Sequence, residues 1–288
     1  MDINKYIILN GKISPASQPV LTIENRSFRF GDSIFETIRY HKGVPLYFDD
    51  HYSRLLRGMT TLKMNVHSLP SVVKLKEQIT SLTIKNSIFN DARIRLTIFR
   101  SDGGLYTPVS NDVSFTIEAS SIKNKIFVPE KKGLLIDIYN QYKKSISPLY
   151  SFKNANSLLN VLAGIHKKEL QIDDCLIVNE NNHIIEGLSS NLFWIKDKIV
   201  YTPLVSAGCV DGIMRKQIMN AIKLSGMGVQ EVTGTSVDEL LDADEIFLTN
   251  AMQGVRWVMG LRNKRFYNLT TKKIMKLLIE NLRLLLED

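Results

Sequence analysis

Through Ile98, the run Arg93-Ile-Arg-Leu-Thr-Ile-Phe99 alternates strictly between polar and apolar side chains. A period of two sends successive side chains to opposite faces, so the run reads as a strand with one wet and one dry face. Ser33-Ile-Phe-Glu-Thr-Ile-Arg-Tyr40 reads the same way. Two such strands need a sheet, and the dry face of that sheet needs a cover. A helix supplies one: Tyr52, Leu55, Leu56 and Met59 share a helical face, and Asp49-Asp50 is placed to cap it. Residues 71–82 are expected to form a second helix.

Asn10-Gly11 after the apolar run Tyr6-Ile-Ile-Leu9 is a hairpin signal, and Val113-Ser-Phe-Thr-Ile-Glu118 reads as another strand. The polar, basic stretch 121–131 reads as a linker. The expected division is therefore an N-terminal domain over 1–120, the linker, and a C-terminal domain over 132–288. The second part opens with the strand Leu134–Tyr139 and a helix over 158–170. A meander follows through Cys175–Val178, the turn Asn181-Asn182, Ile184-Ile185 and Leu192–Ile195. A helix over 215–222, the strand Glu245–Thr249 and an amphipathic helix over 270–285 complete it. Helices and strands mix without regular alternation, which predicts an α+β fold.

The chain has 288 residues, 44% of them hydrophobic, enough for a sizeable core. Its net charge of +8 is spread over scattered lysines and arginines with no nucleic-acid-binding motif, so no nucleic acid is expected as partner. A mild positive field suits a small anionic substrate. Two cysteines make no disulfide framework, and the five histidines lack metal-ligand spacing, so no metal is expected. The start Met1-Asp-Ile-Asn-Lys-Tyr6 is unlike a signal peptide. With no apolar run long enough for a membrane span, the reading is a cytoplasmic protein. Phosphate-loop, dinucleotide-fingerprint and nucleophile-elbow motifs are all missing.

Four separated pieces remain: His51-Tyr-Ser-Arg54-Leu55, Ser151-Phe-Lys153-Asn-Ala-Asn156, Ile185-Glu186-Gly-Leu-Ser-Ser-Asn191-Leu-Phe193, and Asp211-Gly212-Ile213-Met214-Arg215. Alone, each would read as ordinary surface or strand residues. In this order and spacing they resemble the class IV, fold type IV enzymes that use pyridoxal 5'-phosphate (PLP). These include branched-chain aminotransferases, D-amino acid aminotransferases and aminodeoxychorismate lyase. The resemblance runs from Asn10-Gly11 to Trp257. One position departs: Leu188 stands where the family usually has a small residue.

The resemblance implies a D-amino acid aminotransferase-like fold, with a smaller N-terminal and a larger C-terminal α/β domain and the cofactor between them. It implies that Lys153 forms the Schiff base with PLP and acts as the catalytic base. Glu186 would pair with the pyridine nitrogen and keep it protonated. Arg54 would grip the phosphate with its planar fork. Gly212, Ile213 and Met214 would offer backbone N–H groups at a helix start, and Asn250-Ala251 a second phosphate turn. A homodimer is implied too.

The reaction is less sharply specified. Asn250-Ala251, Phe30-Gly-Asp32 and Phe35-x-Thr37 lean toward the lyase, which eliminates pyruvate from aminodeoxychorismate and leaves 4-aminobenzoate for folate synthesis. Phe35, Thr37, Arg93 and Arg95 are the expected substrate residues. Leu105, however, stands where lyases commonly carry arginine, and D-amino acid enzymes have an arginine near that point as well; Arg95 resembles the carboxylate-gripping arginine of branched-chain enzymes. The lyase is the first expectation and a branched-chain or D-amino acid aminotransferase the second. A catalytically silent PLP-binding protein is a third.

Overall fold

The computed structural model describes residues 5–19, 21–123, 126–128 and 130–287, so linker positions 124, 125 and 129 lie outside the described residues. The chain divides into two units, 1–126 with 152–156, and 127–151 with 157–288.

The first unit is built on an antiparallel sheet. Its elements are β1 (Tyr6–Leu9), β2 (Lys12–Pro15), α1 (Arg26–Phe30), β3 (Ser33–His41), β4 (Val44–Pro45), α2 (Phe48–Thr61), α3 (Val72–Lys85), β5 (Asp91–Arg100) and β6 (Val113–Ser121). The strand order is β2-β1-β6-β5-β3-β4. Asn10 and Gly11 both adopt positive φ, 46° and 84°, which a two-residue hairpin turn requires. The dry face carries Ile34, Ile38, Ile94, Leu96, Ile98 and Ile117, covered by Leu55 and Met59 of α2 and Leu75, Ile79 and Leu82 of α3. Asp49 and Asp50 do not cap α2. The cap residue is Tyr47, in left-handed conformation, and the two acids lie within the first turn, where the helix dipole favours them.

Residues 152–156 were expected in the C-terminal domain, but by their contacts they belong to the first unit. Backbone pairing explains this: Phe35 N–H donates to Lys153 O at 2.9 Å and Ala155 N–H to Ser33 O at 3.1 Å. Phe152 is buried against Gly58 of α2, where an added Cβ would lie 3.1 Å from its ring.

The second unit contains β7 (Leu134–Lys144), α4 (Leu158–Glu169), β8 (Asp174–Asn179), β9 (Ile184–Gly187), β10 (Asn191–Lys196), β11 (Ile199–Pro203) and α5 (Ile213–Leu224). It continues with β12 (Val229–Val232), α6 (Val237–Asp242), β13 (Glu245–Asn250), β14 (Gly254–Leu261), β15 (Lys264–Arg265) and α7 (Leu269–Glu287). The strands run β12-β11-β10-β13-β14-β7-β8-β9, and β9 pairs back onto β10, closing six of them into a ring. The closing pair is Glu186 opposite Asn191. Leu176, Ile184, Leu192, Leu248 and Val258 belong to one buried cluster of this unit. Leu188 packs with Tyr139, Ala163, Cys175 and Ile177, so here a large apolar residue fills space between the strands and α4. Sequence periodicity misses β14 because both its faces are largely buried, leaving no alternation to read.

Ile79→Ala, in the core, should cost about 3 kcal/mol in urea unfolding, whereas Ile84→Ala, exposed on the same helix, should change stability by less than about 0.5 kcal/mol. Equal costs for both would contradict this assignment of the buried face of α3.

Candidate active site

In the second unit the site grows from the ring closure. Glu186 is only 4% exposed. Its Oε1 accepts from Lys144 Nζ, and its Oε2 accepts from the Val210 N–H at 2.9 Å. Asn191, its neighbour across the closure, donates from Nδ2 to the Val210 carbonyl at 2.7 Å. One backbone residue is thus held on both sides by the closing pair. That grip sets the approach to Gly212, the N-cap of α5. A Cβ on Gly212 would lie 1.8 Å from Asn191 Oδ1, so the position requires glycine. Gly212 offers no side-chain cap, and the first turn of α5 holds no acid. The dipole at such a helix start favours an anion. Ile213 and Met214 bury their side chains, so they offer backbone there.

Asn191 also pairs with Thr249 of β13, which brings the turn at Asn250-Ala251 onto the next strand. Asn250 Oδ1 accepts from the Met252 and Gln253 N–H groups at 3.0 and 2.9 Å, so its side chain shapes the turn. Arg215, also part of the sequence signature, is buried and donates to the Pro203 carbonyl at 2.9 Å and to Glu231. It ties α5 to β11 and β12 instead of facing a ligand. Cys175 and Cys209 are buried, and burial pushes their thiols up to about 11 and about 12, too high for nucleophiles.

In the first unit Arg54 is 3% exposed, and its fork meets Glu36: Nε donates to Oε1 at 2.8 Å and Nη2 to Oε2. His51 Nδ1 lies 2.6 Å from Glu36 Oε2. Burial alone would push the Glu36 carboxyl up, but the charges of Arg54 and His51 and their hydrogen bonds hold it down at about 2. Burial lowers His51 against the pull of Glu36, and Arg54 adds to the lowering. An ionised Glu36 accepts, so neutral His51 donates from Nδ1. Its buried Nε2 then has no partner among the described residues. The resemblance assigned Arg54's fork to phosphate; in the structure the Nε–Nη2 edge of that fork is taken by Glu36.

The wet face of the same sheet carries the substrate candidates. Thr37 pairs with Arg95, and Arg39 with Arg93, across β3 and β5. The Arg95 guanidinium lies 3.9 Å from the Phe35 ring centre, and Lys153 Nζ lies 5.5 Å from it. Lys153, Phe35 and Arg95 are therefore neighbours. Burial lowers the Arg95 pKa, with Arg93 acting the same way and Glu118 opposing. At the end of β5, Asp32 bridges Arg26 and Arg100 at 2.9 Å each. Arg26 also donates to the carbonyls of Gly103 and Leu105, at 3.0 and 2.6 Å. This clamp holds the loop that presents Leu105, which is 75% exposed.

The expected residues thus form one group around Phe35, with Arg54 in its own buried cluster, and a second group around Glu186 in the other unit. Sequence reading missed Glu36, His51 and Lys144. Glu36 had a signal: it interrupts the apolar positions Ile34, Ile38 and Tyr40 on the dry face of β3. Lys144 had none, because only strand pairing brings it to Glu186.

A family model described as amino-transferase class IV matches residues 33–260. The aminodeoxychorismate lyase of Vibrio harveyi is 31% identical over 85% of this chain and 88% of its own length. The D-alanine aminotransferase of Bacillus licheniformis is 26% identical over 85% of this chain and 84% of its own. Among solved structures, the branched-chain amino acid aminotransferase from Escherichia coli shares the fold. Its TM-score is 0.84 at 22% identity, over 95% of this chain and 92% of that one.

The Glu36 cluster makes stability depend on pH. The unfolded chain binds a proton at His51 below 6.5, the folded chain only at lower pH, so stability falls as pH drops through that range. A second loss comes between the ordinary carboxyl value of 4.5 and about 2, where unfolded Glu36 is protonated and folded Glu36 is not. Urea unfolding from neutral to strongly acid pH should show both losses, with the second reduced in Glu36→Gln. The same acid slope in wild type and variant would contradict the account.

Proposed function

The chain belongs to the class IV aminotransferase family, and from that premise we propose that it is a PLP-dependent lyase that converts 4-amino-4-deoxychorismate into pyruvate and 4-aminobenzoate. The observation that carries this choice is its 31% identity to the Vibrio harveyi lyase over most of both chains. The wet face supports it, because Arg93 and Arg95 side by side suit a substrate with two carboxylates.

The residues fit the cofactor. Glu186 is a buried carboxylate with a charged and a backbone partner, suited to a protonated ring nitrogen, and the glycine-led start of α5 with Gly212, Ile213 and Met214 suits a phosphate. Asn250-Ala251 would add backbone groups, and Arg54, oriented by Glu36, its charge. When bound, PLP supplies an electron sink conjugated to the substrate's amino group. Lys153 would hold it, and its Nζ would take the proton from the carbon that bears the substrate's amine. The bond to the enolpyruvyl oxygen would then break with its electron pair on that oxygen, the ring would become aromatic, and the departing enol would take back a proton at its methylene carbon, with Lys153 Nζ as donor, to give pyruvate. Arg95, Arg93, Thr37 and Phe35 orient the substrate. An exposed apolar stripe on α4 (Leu158, Val161, Leu162 and Ile165) supports a homodimer, a reading that a sedimentation mass of one chain would remove.

A second reading, an aminotransferase of the branched-chain kind, is favoured by Leu105, apolar and exposed where lyases and D-amino acid enzymes carry arginine, together with Arg95 beside Phe35. Mass spectrometry of two reactions decides. The PLP-loaded chain with aminodeoxychorismate should yield pyruvate and 4-aminobenzoate. A panel of L- and D-amino acids with 2-oxoglutarate should yield no glutamate. The reverse pattern would replace the lyase with the aminotransferase.

A further inference from the structure

Lys144 ends β7 and is 6% exposed, a costly setting for an ammonium group. A register shift in the β7–β8 pairing after Tyr139 places it opposite Asn179, and Glu180 N–H fixes its carbonyl at 3.0 Å. Its Nζ meets Glu186 Oε1 and lies 5.1 Å from the centre of the Tyr150 ring. A buried ammonium–carboxylate pair is by itself a weak source of stability. The arrangement makes sense if the charge of Glu186 is itself needed.

We propose that Lys144 is a positioning residue for the cofactor's ring nitrogen: its ammonium keeps Glu186 anionic, so that the proton shared between carboxylate and ring stays on the ring. The proposal rests on the reading that this chain binds PLP with Glu186 at that nitrogen. Without Lys144, Glu186 becomes a buried carboxylate whose remaining partner among the described residues is the Val210 N–H, and a buried charge without a counter-charge is costly. The proton then moves to the carboxylate, and a neutral ring is a weaker electron sink. Lys144 touches the carboxylate directly, so its charge acts most strongly there. The Val210 N–H contacts Glu186 and the Tyr150 ring lies beside Lys144, each on one partner of the pair.

The test uses the full chain loaded with PLP carrying 15N in the ring. Wild type should show a protonated ring nitrogen. Lys144→Met should move the resonance toward neutral pyridine, and Lys144→Arg, which keeps the charge, should restore it. Lys144→Met should also weaken PLP binding about tenfold in the wild-type background and hardly at all in Glu186→Gln, because the two residues act as one unit. A merely structural brace would lower the melting temperature and leave the ring nitrogen unchanged, so a wild-type resonance in Lys144→Met overturns the proposal. Equal weakening in both backgrounds overturns it too. If Lys144→Met does not fold, Lys144→Gln is read in the same way. A wild-type chain that binds no PLP overturns the cofactor reading itself, an outcome distinct from an unchanged resonance in a chain that does bind.

Discussion

The second unit depends on the closure of its strand ring at Glu186 and Asn191. Each of these side chains also grips Val210, one by its N–H and the other by its carbonyl. Ring closure and the placing of the α5 N-terminus are therefore one event. Gly212 must be glycine because Asn191 occupies the space a Cβ would need. Lys144, from a strand on the far side of β8, supplies the charge that lets a carboxylate sit in this dry position. A site assembled this way is rigid, because its parts are those that close the sheet.

The first unit follows a different logic, set by the two faces of one antiparallel sheet. The wet face collects Phe35, Thr37, Arg93 and Arg95, with Lys153 arriving on a segment that pairs with β3. The dry face is a hydrophobic core interrupted by Glu36, whose ionisation draws His51 and Arg54 inward. Arg54 is held by a charge partner, which fixes the orientation of its guanidinium. The clamp of Arg26, Asp32 and Arg100 does the same for the loop bearing Leu105.

Much of this was legible in the chain. The alternation in 33–40 and 93–99 gave β3 and β5 their faces, and the four motif pieces led to Lys153, Glu186, Arg54 and Gly212. What stayed hidden has physical reasons. The strand β14 lacks alternation because it is largely buried on both faces, and Lys144 meets Glu186 only through the pairing of β7, β8 and β9. The return of 152–156 to the first unit is a matter of backbone hydrogen bonds, which side-chain patterns do not record. Glu36 could have been found, since a lone acid in an apolar stripe signals a buried charge needing a partner.

The central claim is that Lys153 is the residue through which this chain does chemistry. The most direct measurement is to load the full chain with PLP, trap it with borohydride and map the modified peptide by mass spectrometry. The account predicts a single adduct on the peptide containing Lys153, absent from Lys153→Ala. An adduct on another lysine, such as the buried Lys144, with Lys153 unmodified, would contradict it.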